Sequence, residues 1–348
     1  MTYSDRDSID GISQGVGVPD NTSDLGFHTF SSIEELFPTA VERTNSEGTY
    51  LEIPRFELIP QDTIPVFESN RFRLQRMIEL VRGVGPHTAV NCRKRGTRTL
   101  TQLIMNRPRF ATAARQVKRS LDSGDFFQLQ SVRLLRDIDF IHCFRLEDLL
   151  FLDVETLGLR DEPIFLIGVA HFSPSNQGSF QVRQWFARDI GEEVAIMRQF
   201  LDLARQFKCL VSFNGKSFDL NVLRARAIYY FTNDFFTPAF LEQGSSQFAG
   251  FHHIDLFHES RHVWKNSDIE NFRLDTIESQ LLGITRGTEQ DLPSAEVPRV
   301  YRRFLNDPVD TTDIYRVIEH NYFDVRSLVT LLGKVLQALL ATSKGTPR

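Results

Sequence analysis

The 348-residue sequence is poor in cysteine and lacks long apolar runs, and both features exclude whole classes of protein. Its three cysteines, Cys92, Cys143 and Cys209, are widely spaced and odd in number, so they provide neither a disulfide framework nor a thiolate zinc site. No stretch approaches the ~18 uninterrupted apolar residues of a membrane span, and the first residues lack the features of a secretory signal. We therefore expect a soluble protein of the reducing cytoplasm without a membrane partner.

Acidic and basic residues are unevenly distributed, although the formal net charge is only −5. Residues 71–120 contain 13 basic residues opposed only by Glu79, whereas residues 1–70 contain 13 acidic and three basic residues. Residues 1–48 are also rich in small polar residues and show little apolar periodicity, so we expect an acidic, disordered leader. An alternative is a tail that competes with nucleic acid for the basic segment.

The apolar pattern divides the rest of the chain into two regions. Residues 49–70 are expected to be extended, and residues 71–121 to form short helices broken by glycines. With a linker after them, they make a region that we place at 49–147. From 148 to 341 strands alternate with helices, which is typical of an α/β sheet.

A glycine-containing turn lies inside the basic segment, between two predicted helices. Gly83 and Gly85 bracket Val84, and Pro86 suits the first turn of the following helix. Backbone N–H groups at such a turn attract phosphate oxygens. The pattern resembles the helix-hairpin-helix module, which implies sequence-independent binding of a nucleic-acid backbone, usually that of DNA.

The alternative for this turn is a helical connector that merely reverses direction on glycines. The high positive charge of the segment favours the binding function, because neutralising phosphates is what such a surface does. The residues expected to contact the nucleic-acid backbone are Arg82, Gly83, Gly85, Arg93, Lys94, Arg95 and Arg98.

The strongest chemical signal is a short apolar run that ends in two carboxylates. Leu149–Leu152 predicts a buried strand, and Asp153 and Glu155 follow in i, i+2 register on one face. Neighbouring buried carboxylates are costly unless a cation neutralises them, which suggests a hard divalent metal.

Two later segments add side chains to this pair. Residues 208–213 predict another core strand, after which Asp219 opens an amphipathic helix near the carboxyl edge of the sheet. His320 and Asp324 are four residues apart on a long helical pattern and so share one face. Asp255 ends a further strand, where we expect it to cap the next helix.

These residues resemble the motifs of the DEDD superfamily of 3′→5′ exonucleases, which share the ribonuclease H-like fold. The likeness is closest to the proofreading exonuclease domain of family B DNA polymerases. The first motif, Asp-x-Glu, falls on Asp153 and Glu155. The second, Asn-x-x-x-Phe-Asp, falls on Asn214, Phe218 and Asp219.

The third motif, Tyr-x-x-x-Asp, falls on His320 and Asp324, with histidine in the place of tyrosine. In the histidine branch of the superfamily the histidine stands one residue earlier, where this chain has Glu319. A helix-hairpin-helix module ahead of such a domain also resembles a group of predicted bacterial exonucleases. The expected fold is thus a ribonuclease H-like mixed sheet flanked by helices and preceded by a small helical domain.

The resemblance also implies a mechanism and a set of site residues. Two divalent metal ions, Mg²⁺ or Mn²⁺, would be held by Asp153, Glu155, Asp219 and Asp324. His320 would orient or deprotonate the attacking water. The terminal nucleotide would be held by Thr156, Leu157, Asn214 and Phe218, although Phe218 is equally expected to pack in the core.

We therefore predict a metal-dependent 3′→5′ exonuclease whose substrate is nucleic acid, DNA rather than RNA. Two alternatives stay open at this point. One is an endonuclease or structure-specific nuclease on the same fold, and the other is a non-catalytic nucleic-acid adaptor. Clustered acids that face a polyanion argue against the adaptor, because a binding module does not need them.

Overall fold

A computed structural model describes residues 32–60, 63–123, 132, 134–158, 162–173, 178–232, 252–287, 292–308 and 311–344. Of the leader expected at residues 1–48, residues 1–31 lie outside this described part of the chain. None of the helices in the described ranges is both long enough and apolar enough to cross a membrane.

A seven-stranded mixed sheet forms the centre of the fold, in the order β1-β2-β5-β4-β3-β6-β7. Strands β3, β6 and β7 run parallel, and the other neighbouring strands pair antiparallel. The strands are β1 (Val41–Asn45), β2 (Gly48–Leu58), β3 (Leu149–Thr156), β4 (Ile164–Phe172), β5 (Ser179–Phe186), β6 (Cys209–Ser212) and β7 (His252–Asp255).

Helices cover both faces of this sheet, so the predicted mixed sheet with flanking helices is confirmed. The helices are α1 (Ile33–Leu36), α2 (Thr63–Arg73), α3 (Pro86–Lys94), α4 (Leu100–Asn106), α5 (Pro108–Ser123), α6 (Glu193–Ala204), α7 (Asp219–Phe231), α8 (Leu256–Trp264), α9 (Leu274–Ile277), α10 (Val297–Asn306) and α11 (Thr312–Lys344). Short 3₁₀ turns occupy Leu74–Arg76, Ile78–Leu80, Asp137–Cys143, Leu146–Asp148 and Ile190–Glu192, and a π-helix occupies Glu278–Leu282.

Alternating residues of β3, an interior strand of the sheet, enter two hydrophobic clusters. Leu149 and Phe151 belong to the cluster that includes α3–α5 and most of α11. Leu150 and Leu152 belong to the cluster that includes α6, α7 and α10. Because both faces of β3 are covered, its apolar run is nearly continuous rather than alternating. The same alternation places Asp153 on the α11 side of the sheet.

The first two strands correct the expectation for the N-terminal part of the chain. Residues 33–48 were expected to belong to a leader without structure, but α1 and β1 lie there. Strand β2, from the region assigned to 49–147, pairs with β5 from Leu51↔Phe186 to Leu58↔Ser179. The sheet therefore extends beyond residues 148–341. Composition could not reveal this, because the hairpin is stabilised by a strand more than a hundred residues away.

The basic segment forms short helices, as the glycine pattern predicts, but differs in one detail. A 3₁₀ turn of three residues, Ile78–Leu80, precedes the glycine turn in place of an α-helix. Gly83 has φ +90°, a conformation that favours glycine, and α3 begins at Pro86 with Gly85 as its N-cap. Thr99 caps α4, and α5 follows after Arg107. The helix-hairpin-helix assignment stays a prediction.

Candidate active site

Strand β3 carries the first two acids to the middle of the sheet. Asp153 pairs in register with Gly168 of β4, and Glu155 pairs with Leu166. An irregularity in the register follows Glu155, at the end of the strand. Because side chains alternate along a strand, the two carboxylates share the face on which α11 packs.

Asp219 is tied directly to β3 between these acids. It is the first residue of α7 and is buried, and its Oδ1 accepts a hydrogen bond of 3.1 Å from the backbone N–H of Val154. The loop before it is held by Asp255, whose carboxylate accepts the N–H groups of Asn214 at 2.8 Å and Lys216 at 3.1 Å. Asp255 also caps α8, as predicted.

Helix α11 supplies the remaining predicted side chains. His320 and Asp324 share one face, with 3.4 Å between His320 Nε2 and Asp324 Oδ2. Glu319 points away from the acids and pairs with Arg55 of β2 at 2.5 Å, because adjacent helical residues differ by about 100° in direction. In this fold His320, and not Glu319, therefore faces Asp324.

Asn321 is a site residue that the sequence motifs do not include. It is fully buried, and its Nδ2 donates to Asp153 Oδ2 at 2.8 Å. Its Oδ1 accepts from Gln184 Nε2 at 2.9 Å, which fixes the orientation of the amide. The strand opposite has Gly168, where a Cβ would lie 2.2 Å from Asn321 Oδ1. Its spacing of three residues from Asp324 on the same helix is the signal that could have identified it.

An arginine with a largely covered side chain is the second residue that the motifs miss. Arg286 lies between the π-helix and α10, and its guanidinium pairs with both Glu278 and Asp324. Its Nη1 lies 3.2 Å from His320 Nδ1. No periodic pattern connects Arg286 with these residues, so the sequence contains no signal for it.

Burial and neighbouring acids raise the pKa values of Asp153, Glu155 and Asp219. Burial is the main reason that the pKa values of Asp153 and Glu155 lie well above their usual range, and the nearby acids Asp219 and Asp324 add to the shift. Burial, with Asp255 and Asp324 nearby, raises the pKa of Asp219 to about 7, although backbone N–H groups stabilise its charged form. Arg286 partly offsets the shift of Glu155. The centre is thus short of positive charge.

The chemistry of this donor set fits a hard divalent cation. All four acids offer carboxylate oxygens, which Mg²⁺ and Mn²⁺ prefer, and a bound cation would relieve their crowding. Within the described ranges, no group of three or more His, Cys, Asp or Glu side chains is arranged to hold a metal ion. Instead, each of Asp153, Asp219 and Asp324 accepts a hydrogen bond from an N–H donor at one carboxylate oxygen.

The predicted nucleotide-binding residues lie around this centre in different environments. Asn214 is exposed and adopts a left-handed conformation with φ +63°. Phe218 is half-buried and packs against the core, in agreement with the structural alternative. Thr156 and Leu157 are both buried, and the Thr156 hydroxyl donates to the carbonyl of Gly158 at 2.5 Å. Their contact with a nucleotide stays a prediction.

The predicted backbone-contact residues are mostly exposed. Arg82 lies at the glycine turn, Lys94 is the last residue of α3, and Arg95 and Arg98 follow this helix. We call these four exposed residues the basic turn surface. Arg93 differs, since its guanidinium forms a fork on Glu79 with distances of 2.5 and 2.7 Å. Its donors already have a carboxylate partner, so Arg93 is not counted in this surface.

Of two comparisons with known proteins, one agrees with the fold. No curated protein matches the chain significantly. A family model of the RNase_H superfamily matches residues 150–336, which contain all four acids and His320. This match spans more than half of the 348 residues and indicates a nuclease-type activity on nucleic acid. The chain therefore belongs to the RNase_H superfamily.

Proposed function

We propose that this protein is a metal-dependent 3′→5′ exonuclease that hydrolyses phosphodiester bonds of nucleic acid with two divalent ions. The observation that carries the proposal is the convergence of Asp153, Glu155, Asp219 and Asp324 from β3, α7 and α11. A structural role does not account for Asp153, Glu155 and Asp219, because carboxylates whose pKa values are raised by burial and by neighbouring acids destabilise a fold.

The four acids are the proposed metal ligands. Mg²⁺ or Mn²⁺ bound there would stabilise negative charge on the attacking and leaving oxygens of the scissile phosphate. Asn321 orients Asp153 through its 2.8 Å bond, and the N–H of Val154 orients Asp219. The exposed Asn214 and half-buried Phe218 border the start of α7, where they could contact the terminal nucleotide.

The direct test incubates the purified protein with Mn²⁺ and 5′-labelled single- and double-stranded DNA and RNA. A ladder that shortens from the 3′ end supports the exonuclease, discrete internal cuts favour an endonuclease, and binding without cleavage favours an adaptor. The double substitution Asp153→Ala/Glu155→Ala should abolish metal-dependent cleavage, whereas Asp202→Asn on the exposed side of α6 should not. Full activity of the double variant would show that the acids are not catalytic.

We further propose that the basic turn surface holds the nucleic-acid backbone, with DNA preferred to RNA. Its four side chains are exposed and come from a segment with 13 basic residues and one acidic residue. Each phosphate contact contributes about 0.9 to the slope of log affinity against log salt concentration. Phosphate contacts of this kind increase the affinity for nucleic acid of any sequence and do not select a particular sequence.

Charge reversal tests this surface separately from the chemistry. Lys94→Glu/Arg95→Glu should weaken DNA binding and reduce the salt slope by about 2, with cleavage of short oligonucleotides retained. Arg205→Glu/Arg299→Glu is the matched control, because it reverses two exposed charges, one at the C-cap of α6 and one on α10. An equal loss in both variants would indicate a general charge effect and contradict the assignment of the surface.

A further inference from the structure

Arg286 reaches the acidic centre from a segment outside the motifs. The π-helix Glu278–Leu282 ends at Gly283, which has φ +66°, and the N–H of Ile284 returns to the carbonyl of Glu278 at 2.9 Å. This reversal brings Arg286 back over Glu278. π-Helical turns are uncommon in proteins, but those that occur are often found at functional sites. The backbone is thus shaped to place one arginine beside α11.

Glu278 anchors this arginine in a fixed orientation. Arg286 Nε lies 2.7 Å from Glu278 Oε2, and Nη2 lies 2.6 Å from Oε1, so the two groups form a fork. The side chains are 8% and 1% exposed, respectively. Release of Arg286 would leave the Glu278 carboxylate buried and unpaired, which is costly. The pairing with Glu278 therefore favours this position of Arg286.

The remaining donors of Arg286 contact two residues of α11. Nη2 also donates to Asp324 Oδ1, and Nη1 lies 3.2 Å from His320 Nδ1. A guanidinium has five N–H donors and no acceptor, so Nδ1 of His320 must accept this hydrogen bond. Nδ1 then carries no proton, and the proton of a neutral ring sits on Nε2.

The other ring nitrogen has a matching partner. Nε2 of His320 lies 3.4 Å from Asp324 Oδ2, the oxygen that Arg286 does not bind. A protonated Nε2 faces a carboxylate there and acts as a donor, whereas an unprotonated Nε2 would face it lone pair to lone pair. Both contacts of the ring agree on one tautomer.

We propose that Arg286, anchored by Glu278, is a positioning residue that holds Asp324 by one oxygen and fixes His320 as the Nε2–H tautomer, so that His320 serves as a hydrogen-bond donor and not as a general base. The tautomer follows from the contacts alone. The part of His320 in catalysis rests on the proposed nuclease function.

The tautomer is measured without any activity. Protein labelled with ¹⁵N-histidine is examined by long-range ¹H–¹⁵N correlation in the metal-free state, with His320→Gln used to assign the ring. We expect a protonated Nε2 and an unprotonated Nδ1, and a loss of this preference in Arg286→Gln. A protonated Nδ1 in the wild type, or an unchanged ring in the variant, would overturn the proposal. If Arg286→Gln does not fold, the double variant Arg286→Gln/Glu278→Gln is measured in its place, because it removes both charges of the pair together.

Substitution of His320 separates a donor from a base in the active enzyme. The amide nitrogen of glutamine reaches the position of Nε2, so His320→Gln should retain kcat within about 10-fold, whereas His320→Ala should lose about 100-fold or more. His320→Asn, whose amide nitrogen reaches only the position of Nδ1, is the matched control and should resemble alanine. An equal loss in the glutamine and alanine variants would overturn the donor role. A wild type without nuclease activity would refute the proposed function, while the ring nitrogens would still decide the tautomer.

Discussion

Replacement of Asp219 by asparagine should stabilise the metal-free protein while removing its activity. Asparagine has the same shape and can still accept the N–H of Val154, so the substitution changes charge and little else. Burial, with Asp255 and Asp324 nearby, raises the pKa of Asp219 from 3.8 to about 7. A carboxyl group whose pKa is raised by folding contributes stability that is fully present below its unfolded pKa. This contribution is lost as the pH rises from the unfolded pKa through the folded pKa.

The magnitude follows from the size of this shift. A difference of about three pKa units corresponds to roughly 4 kcal/mol, since each unit contributes ~1.4 kcal/mol. The repulsion is shared with the other acids, so we expect Asp219→Asn to raise the free energy of unfolding by about 2–4 kcal/mol at pH 8. At pH 5 the native carboxyl is already protonated, and the gain should fall below half of that value.

The assay is urea unfolding followed by tryptophan fluorescence in the presence of EDTA, at pH 8 and pH 5. Asp202→Asn, on the exposed side of α6, is the matched control and should change stability by less than about 0.5 kcal/mol. Excess Mg²⁺ should stabilise the wild type more than the Asp219 variant. The reasoning is refuted if Asp219→Asn is no more stable than the wild type at pH 8, or if its gain is as large at pH 5.

Three further substitutions test contacts around the sheet. Gly168→Ala places a Cβ 2.2 Å from Asn321 Oδ1 and should lower the free energy of unfolding in urea by about 1–3 kcal/mol. Nuclease activity should fall in parallel, and retained activity would contradict the role of Asn321. Asp139→Asn leaves the buried Arg73 guanidinium without its carboxylate, and a loss of about 3–5 kcal/mol is expected from the same measurement. Gly83→Ala forces a side chain into φ +90° and should destabilise by about 1–3 kcal/mol, and an unchanged midpoint would show that the turn relaxes.

The acids were predictable from the sequence because their spacing is local. Asp153 and Glu155 follow the period of a strand, and His320 and Asp324 follow the period of a helix. Each pattern indicates a shared face without knowledge of the rest of the fold. The order of the segments along the chain then supplied the expectation that these faces meet, and the structure brings them together.

The residues that orient the acids were not predictable in the same way. Glu278 and Arg286 are eight residues apart, and only the π-helix and the reversal at Gly283 bring them together. Asn321 is on a periodic helix, but its orientation toward Asp153 depends on the hydrogen bond from Gln184 and on the space left by Gly168 of β4. Such pairings arise from tertiary packing, for which single-sequence patterns contain no signal.

Helix α11 contacts both strand β2 and the acidic centre. One face of the helix presents His320 and Asp324 to the acids. Another face pairs with β2, where Arg55 binds Glu319 at 2.5 Å and Glu57 accepts from the Tyr322 hydroxyl. These contacts fix the rotation of α11, since a turn of one residue, about 100°, would exchange the histidine for a glutamate. The rotational register of α11 is thus set in part by strand β2, which precedes the first motif by about a hundred residues.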